Sequence, residues 1–198
     1  MTIFYELDGK LYLNLTNRCT NACEFCIRDY DEGISPDINL WIDREPSAEE
    51  IAADSKRFDM TKYPEVTLCG YGEPLLRLDT AVAACKYLKR TYGCKIRINT
   101  NGLASAYHKT NVPPLFSGLA DVFSVSLNQK DAPSYDALCH SQFGLSAFDE
   151  IVNFAREAKK YIPRVIMTVV DVIPAEDIAE CKKTAEALGA EFRVRAKI

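Results

Sequence analysis

The chain has 198 residues and carries 24 Lys and Arg residues against 28 Asp and Glu residues, for a net charge of −4. This length suits a single domain over residues 1–198 with a core of its own. Hydrophobic residues make up 47% of the chain and charged residues 26%, a composition that excludes a wholly disordered chain. The mild acidity creates no overall field that would attract nucleic acid. No apolar run approaches the roughly 18 residues of a membrane span, so we expect a cytoplasmic protein without membrane contact.

In chain order, strand-like and helix-like segments alternate. The first helix begins with a capping box, in which Ser47 precedes Glu50 by three residues. Gly93 and Gly189 are placed to end two later helices. The predicted strands cover residues 11–16, 65–69, 95–100, 121–128, 164–172 and 191–197. The predicted helices cover residues 47–58, 79–92, 147–160 and 176–188, with a short helical piece near Leu115.

This alternation predicts an α/β fold with a parallel sheet built from β/α units. Six strands are fewer than the eight of a closed barrel, so an open doubly wound sheet and a partial (β/α)6 barrel of parallel strands both fit. In either fold, ligands bind at the carboxyl ends of the strands. The longest loop is expected over residues 29–44, and either a lid over the site or an apolar plug would explain it.

Three of the eight cysteines lie directly after the first predicted strand. Cys19, Cys23 and Cys26 form a C-x3-C-x2-C triplet, which can supply three soft ligands from one loop. A structural zinc site and an ordinary iron–sulfur cluster both need four protein ligands. A set of three therefore indicates a cluster with one coordination position left open, unless a remote ligand completes a zinc site.

A glycine-containing segment follows the second predicted strand, at the neighbouring strand end. Gly70 and Gly72 flank Tyr71, and Glu73 and Pro74 come next. Glycine lets the backbone approach a ligand closely. Alone the segment would indicate only a turn. Its position beside the cysteine triplet predicts a binding role.

Together these motifs resemble the radical S-adenosylmethionine (radical SAM) superfamily. Its signature is C-x3-C-x-aromatic-C, with Phe25 at the aromatic position, and its second motif is Gly-Gly-Glu-Pro, here Gly-Tyr-Gly-Glu-Pro. The third and fourth predicted strands, which end in Asn-Thr-Asn-Gly (99–102) and Ser-Val-Ser-Leu-Asn (124–128), are also similar to that superfamily. The fold that the resemblance implies is a partial (β/α)6 barrel. More narrowly, residues 13–21, 26–28 and 39–46 resemble the small TatD-family-associated radical SAM proteins.

The resemblance implies two cofactors, a [4Fe–4S] cluster on Cys19, Cys23 and Cys26, and SAM chelated to the fourth iron. Reductive cleavage of SAM would give a 5′-deoxyadenosyl radical that abstracts hydrogen from a substrate. A one-electron reductant such as flavodoxin or ferredoxin is then the expected partner. The substrate class stays open between a small molecule, a peptide and a nucleotide.

The resemblance also implies which residues contact SAM. The segment at residues 70–73 would meet its amine, Ser126 and Asn128 its ribose, and Phe25 its adenine. A cation would bind its carboxylate, and Arg97, Arg193 and Arg195 are the candidates. The full set of expected SAM contacts is Phe25, Gly70, Tyr71, Gly72, Glu73, Asn99, Ser126, Asn128 and Arg193.

Several other residues carry weaker expectations. Cys85, Cys94, Cys139 and Cys181 are expected to be inert packing residues. Cys69 is also expected to pack, although it ends a strand beside the glycine segment. Tyr135, Asp136 and His140 follow the fourth predicted strand and are candidates to border the substrate. The alternative function is a non-catalytic metal-binding or iron–sulfur electron-transfer module, which requires a fourth protein ligand and no SAM pocket.

Overall fold

The computed structural model describes residues 1–29 and 38–197, and its framework is one seven-stranded sheet. The strand order along the sheet is the order along the chain. The strands are β1 Phe4–Leu7, β2 Lys10–Leu13, β3 Glu65–Leu68, β4 Lys95–Thr100, β5 Val122–Ser126, β6 Arg164–Val170 and β7 Glu191–Arg195. All neighbours from β2 to β7 are parallel, and β1 pairs antiparallel with β2. The predicted α/β fold with a parallel sheet is confirmed.

The six predicted strands are all present as the parallel strands β2 to β7, and the sheet has an additional antiparallel strand, β1, that was not predicted. Asp8 and Gly9 join β1 to β2 in a two-residue turn with φ of 51° and 68°. An Asp-Gly pair is a strong hairpin signal, because both positions of such a turn need positive φ. The first predicted strand also ends earlier than expected, at Leu13 rather than residue 16.

The helices follow the strands as expected, with small changes at their ends. They are α1 Ala48–Ser55, α2 Leu78–Tyr92, α3 Ala104–His108, α4 Ala132–Cys139, α5 Ser146–Tyr161 and α6 Ala175–Ala187. The predicted capping box of α1 is present, and Gly93 ends α2 in the left-handed conformation. The piece near Leu115 is a turn of 3-10 helix, Pro113–Phe116. Helices α3 and α4 were not predicted.

The sheet has one face covered by helices and one face without them. Leu13, Leu68, Ile98, Phe123 and Met167 belong to the large core that the helices cover. Alternate residues point the other way. We call that side the inner face; it carries Thr67, Arg97, Ser124, Thr168 and Arg193, and within this set Thr67 pairs with Arg97 and Thr168 pairs with Arg193. Because the inner face is rich in polar groups, it is suited to bind a ligand.

None of the helices in the described part of the chain is long and apolar enough to cross a membrane.

Candidate active site

A cavity opens at the carboxyl ends of the parallel strands. Residues after β2, β3 and β4 line it, together with the ends of β5, β6 and β7. All the residues expected at the site except Arg193 line this cavity: Cys19, Cys23, Phe25, Cys26, Gly70, Tyr71, Gly72, Glu73, Asn99, Ser126 and Asn128. The topology therefore brings together residues separated by more than 100 positions in the chain.

The cysteine loop after β2 is fixed from one side by the end of α4. The Ala22 N–H donates to the Cys139 carbonyl at 3.0 Å, and the Glu24 N–H donates to the Leu138 carbonyl at 3.1 Å. The buried Asn21 amide donates to the Tyr135 hydroxyl at 2.8 Å. Because these bonds satisfy backbone and side-chain groups within the loop, α4 holds the loop in one conformation.

The same loop is tied from the other side to the end of β4. The Asn101 amide donates to the Thr20 hydroxyl at 2.8 Å and lies 3.8 Å from the Cys19 sulfur. Its oxygen accepts from the Leu103 N–H at 3.0 Å. Sequence reasoning did not assign Asn101 to the site, although it lies in the Asn-Thr-Asn-Gly motif.

The glycine segment after β3 packs against the base of the cysteine loop. A Cβ atom on Gly72 would lie 2.4 Å from the Thr16 carbonyl oxygen and 2.5 Å from the Arg18 carbonyl oxygen. On Gly70 it would lie 2.1 Å from the Asn14 side-chain oxygen. Glycine is required here because a side chain would separate the two segments.

Glu73 connects this segment to the end of β4. Its carboxylate accepts from the Leu75 N–H at 3.1 Å, the Thr100 hydroxyl at 2.8 Å and the Asn101 N–H at 2.6 Å. The Glu73 N–H donates to the Arg18 carbonyl at 2.8 Å. Complete burial raises the pKa of the Glu73 carboxyl to about 7, although these hydrogen bonds favour its charged form.

The sequence profile of the radical SAM superfamily matches residues 13–188 of this chain. The chain belongs to the radical SAM superfamily. Members of this superfamily are enzymes, and their cofactors are a [4Fe–4S] cluster and SAM. A curated relative is the dual-specificity RNA methyltransferase RlmN of Wigglesworthia glossinidia brevipalpis, 29% identical over 152 residues. That alignment covers 73% of this chain and 37% of the relative, so the chain spans well under half of the relative's length.

Several solved structures share the fold at low sequence identity. The radical SAM methyltransferase of Sphaerobacter thermophilus has a TM-score of 0.62 and 15% identity, over 98% of this chain and 68% of that one. SuiB of Streptococcus suis bound to S-adenosylmethionine has a TM-score of 0.66 and 16% identity, over 94% and 38%. The [FeFe]-hydrogenase maturase HydG has a TM-score of 0.69 and 13% identity, over 96% and 43%. These similarities show the fold and agree with a partial barrel.

The radical SAM cavity has the donor chemistry that the two cofactors need. Its three thiols are soft ligands on one loop. Within the two described ranges, no three side chains converge as ligands of a single metal ion. A cluster does not require that convergence, because each thiolate binds a different iron. Two buried polar atoms, the Asn128 side-chain oxygen and Arg195 Nε, line the same cavity without a hydrogen-bond partner in the structure, which indicates that a polar ligand completes them.

The cluster thiols are protonated at neutral pH when no metal is bound. Burial raises the pKa of Cys19 to about 11 and also raises the pKa of Cys26. A hydrogen bond with the Cys139 thiol raises the pKa of Cys23, and burial adds to that effect. Metal binding to these thiols must therefore release protons.

Cys139 was expected to be an inert packing residue, but it contacts two residues of the site. It is fully buried, its thiol contacts that of Cys23, and the Asn128 amide donates to its sulfur at 3.8 Å. It does not line the cavity. Cys139 thus supports the cysteine loop from behind and is not placed to occupy the open corner of a cluster. Nothing in the sequence signals this contact, since it spans 116 positions.

The arginines expected to bind the SAM carboxylate differ in position. Arg193 was expected to contact SAM, but it is exposed and lies outside the lining of the cavity. Arg195, two residues further along β7, does line it. Arg97 forms an ion pair with Glu65 at 2.8 Å.

Other expectations about the surroundings of the cavity need correction. Tyr135 is fully buried and binds Asn21, so it supports the loop and does not border a substrate. His140 is on the surface and lies 3.3 Å from Glu24. Tyr71 is 7% exposed and packs edge-on against Trp41, with ring centroids 5.1 Å apart.

The expected loop over residues 29–44 lies partly outside the described residues. Glu45, which follows it, accepts from the Thr16 hydroxyl at 2.7 Å and from Arg18 Nε at 2.7 Å. It also lies 3.0 Å from Arg77 Nη1. This carboxylate joins the base of the cysteine loop to the start of α2.

Proposed function

We propose that this chain is a radical SAM enzyme in which Cys19, Cys23 and Cys26 hold three irons of a [4Fe–4S] cluster. The observation that carries the proposal is that the three thiols and the Gly-x-Gly-Glu segment line one cavity at the carboxyl ends of adjacent parallel strands. When bound, the cofactors supply an electron and a 5′-deoxyadenosyl radical that abstracts hydrogen from the substrate. The chain itself binds, orients and shields them.

The residues of the cavity divide this work between them. The backbone at residues 70–72 is fixed against the cysteine loop and is available to bind the SAM amine. Glu73 keeps that backbone in place, because its carboxylate accepts hydrogen bonds from Leu75, Thr100 and Asn101. Ser126 ends β5 and Asn128 follows it; both residues line the cavity and are suited to bind ribose hydroxyls. Asn99 and Phe25 complete the lining.

The alternative of a non-catalytic iron–sulfur module requires a fourth protein ligand. Two further cysteines lie near the site: Cys139 is buried behind Cys23 and does not line the cavity, whereas Cys69 lines it beside Gly70. Among the described residues, Cys69 is thus the one cysteine outside the triplet that lines the cavity, and its thiol forms a hydrogen bond with Asn99 instead of facing the triplet. This arrangement supports the catalytic proposal.

The partner and location that we propose follow from the cluster. Reduction needs a one-electron donor such as flavodoxin or ferredoxin. All eight cysteines are free, which supports a reducing compartment such as the cytoplasm. Motif residues 13–21, 26–28 and 39–46 support a narrower placement among the TatD-family-associated radical SAM proteins. That placement does not define the reaction.

The direct test is anaerobic formation of 5′-deoxyadenosine. The protein is reconstituted with iron and sulfide, reduced and given SAM. We expect 5′-deoxyadenosine from the wild type and loss of both iron and product in Cys19→Ala, Cys23→Ala and Cys26→Ala. Cys94→Ala is the matched control, because this buried thiol does not line the cavity. A full complement of iron in the triple Cys→Ala variant would contradict the proposal.

A further inference from the structure

Two arginines of β7 share the inner face of the sheet. Arg193 and Arg195 are two residues apart, so both side chains project to the same side. They pair in register with Thr168 and Val170 of β6. Arg195 lines the cavity, while Arg193 lies one step lower and is exposed. Together they extend from the cavity onto the open inner face.

Neither guanidinium has an acidic partner in the part of the chain that the structure describes. The neighbouring charges of this face are already paired, Arg97 with Glu65 at 2.8 Å and Arg164 with Glu191 at 2.6 Å. Asp171, which follows β6, accepts from the Lys197 N–H at 2.6 Å.

The carboxylate of the cavity does not neutralise these arginines either. Among the described lining residues the only carboxylate is Glu73, and its oxygens accept three hydrogen bonds from the chain. The cavity therefore carries a surplus of positive charge at the end of β7.

This arrangement is unfavourable until an anion is present. Arg195 Nε is buried and has no hydrogen-bond partner in the structure. Burial lowers the pKa of Arg195; the neighbouring Cys69 thiol opposes this shift, and the charge of Arg193 adds to it. A buried, unpaired donor costs free energy, and a bound anion would relieve both the desolvation and the repulsion.

We propose that Arg195, assisted by Arg193, binds a carboxylate or phosphate group of the substrate, which is therefore an organic acid or a phosphate ester. This inference rests on the proposed function. A guanidinium fork fits either group with two parallel hydrogen bonds. The SAM carboxylate is the other possible source of the anion. The substrate is favoured because Arg193 continues the positive charge away from the cavity onto the open inner face.

The test measures anion binding by reconstituted holoprotein that is already saturated with SAM. Inorganic phosphate and pyrophosphate are titrated and followed by ³¹P line broadening, with malonate as a competing carboxylate. We expect binding in the wild type and a loss of roughly 10- to 100-fold in Arg195→Gln. Arg195→Lys keeps the charge but not the fork and should be intermediate. Arg156→Gln on the exposed side of α5 is the matched control and should bind like the wild type.

The affinity for SAM, measured by equilibrium dialysis on the same samples, separates the two sources. SAM affinity within about threefold of the wild type in Arg195→Gln supports a substrate site. A parallel loss of SAM affinity would assign the guanidinium to SAM and overturn the inference. Absence of anion binding to the SAM-saturated wild type would overturn it as well. Failure of the proposed function would be seen separately: neither the wild type nor Arg156→Gln would form 5′-deoxyadenosine.

Discussion

At the scale of single residues, Glu73 is a buried carboxyl whose titration affects the stability of the site. It is 4% exposed, yet both of its oxygens accept hydrogen bonds that hold the glycine segment to β4. Burial raises its pKa from an ordinary 4.5 to about 7. The unfolded chain therefore releases this proton at lower pH than the folded chain does.

The sign of the resulting pH dependence follows from that difference. Below pH 4.5 the carboxyl is protonated in both states, so its contribution to stability is fully present there. As the pH rises through about 7, the contribution is lost. We expect the apo protein to lose about 3 kcal/mol of unfolding free energy from this group between pH 4.5 and 8. Urea denaturation of the wild type and Glu73→Gln checks this, because the variant lacks the titration; equal pH slopes would contradict it.

At the scale of elements, the site depends on how closely three loops approach one another. The glycine segment meets the base of the cysteine loop, and the end of α4 meets its other side. Each approach is fixed by backbone hydrogen bonds rather than by side-chain packing alone. Small changes at these contacts should therefore act on cofactor retention more than on the core.

The first such change is Gly72→Ala. Its Cβ would meet backbone oxygens of Thr16 and Arg18, which cannot move without shifting the loop. We expect a destabilisation of about 1–3 kcal/mol together with weak cluster and SAM binding. Thermal melts and iron content provide the measurement. Gly144→Ala, which has open space around its Cβ and does not line the cavity, is the control for cofactor binding; its φ of 54° adds a backbone strain that Gly72 does not share. Normal SAM binding by Gly72→Ala would show that the close approach is unimportant.

The second change is Tyr135→Phe in α4. It removes the hydroxyl that accepts from the buried Asn21 amide and leaves that amide unsatisfied, at a cost of about 1–3 kcal/mol. We expect a chelator to strip iron from this variant faster than from the wild type. Tyr161→Phe, at a partly exposed position on α5, should behave like the wild type. Equal iron loss in all three proteins would mean that α4 does not support the loop.

At the scale of the whole molecule, the sequence allowed the β/α order, the strand ends and the motif residues to be predicted, because each depends on local pattern. The contribution of α4 was missed because its contacts to the cysteine loop cross more than 100 positions. The hairpin of β1 was missed although Asp8 and Gly9 signal it. The alternation of side chains along a strand predicts that Arg193 and Arg195 share one face. It does not predict that only Arg195 reaches the cavity, because that depends on where β7 ends relative to the other strands.

The measurement that tests the central proposal most directly is the EPR spectrum of the reduced cluster with and without isotopically labelled SAM. The account predicts a spectrum that changes on SAM addition, with hyperfine coupling to ¹⁵N of the SAM amine, and a similar response in Cys139→Ala. A spectrum that ignores SAM in the wild type, together with a cluster that is lost in Cys139→Ala, would contradict it. That result would instead assign the three thiols and Cys139 to a closed, four-cysteine iron–sulfur centre.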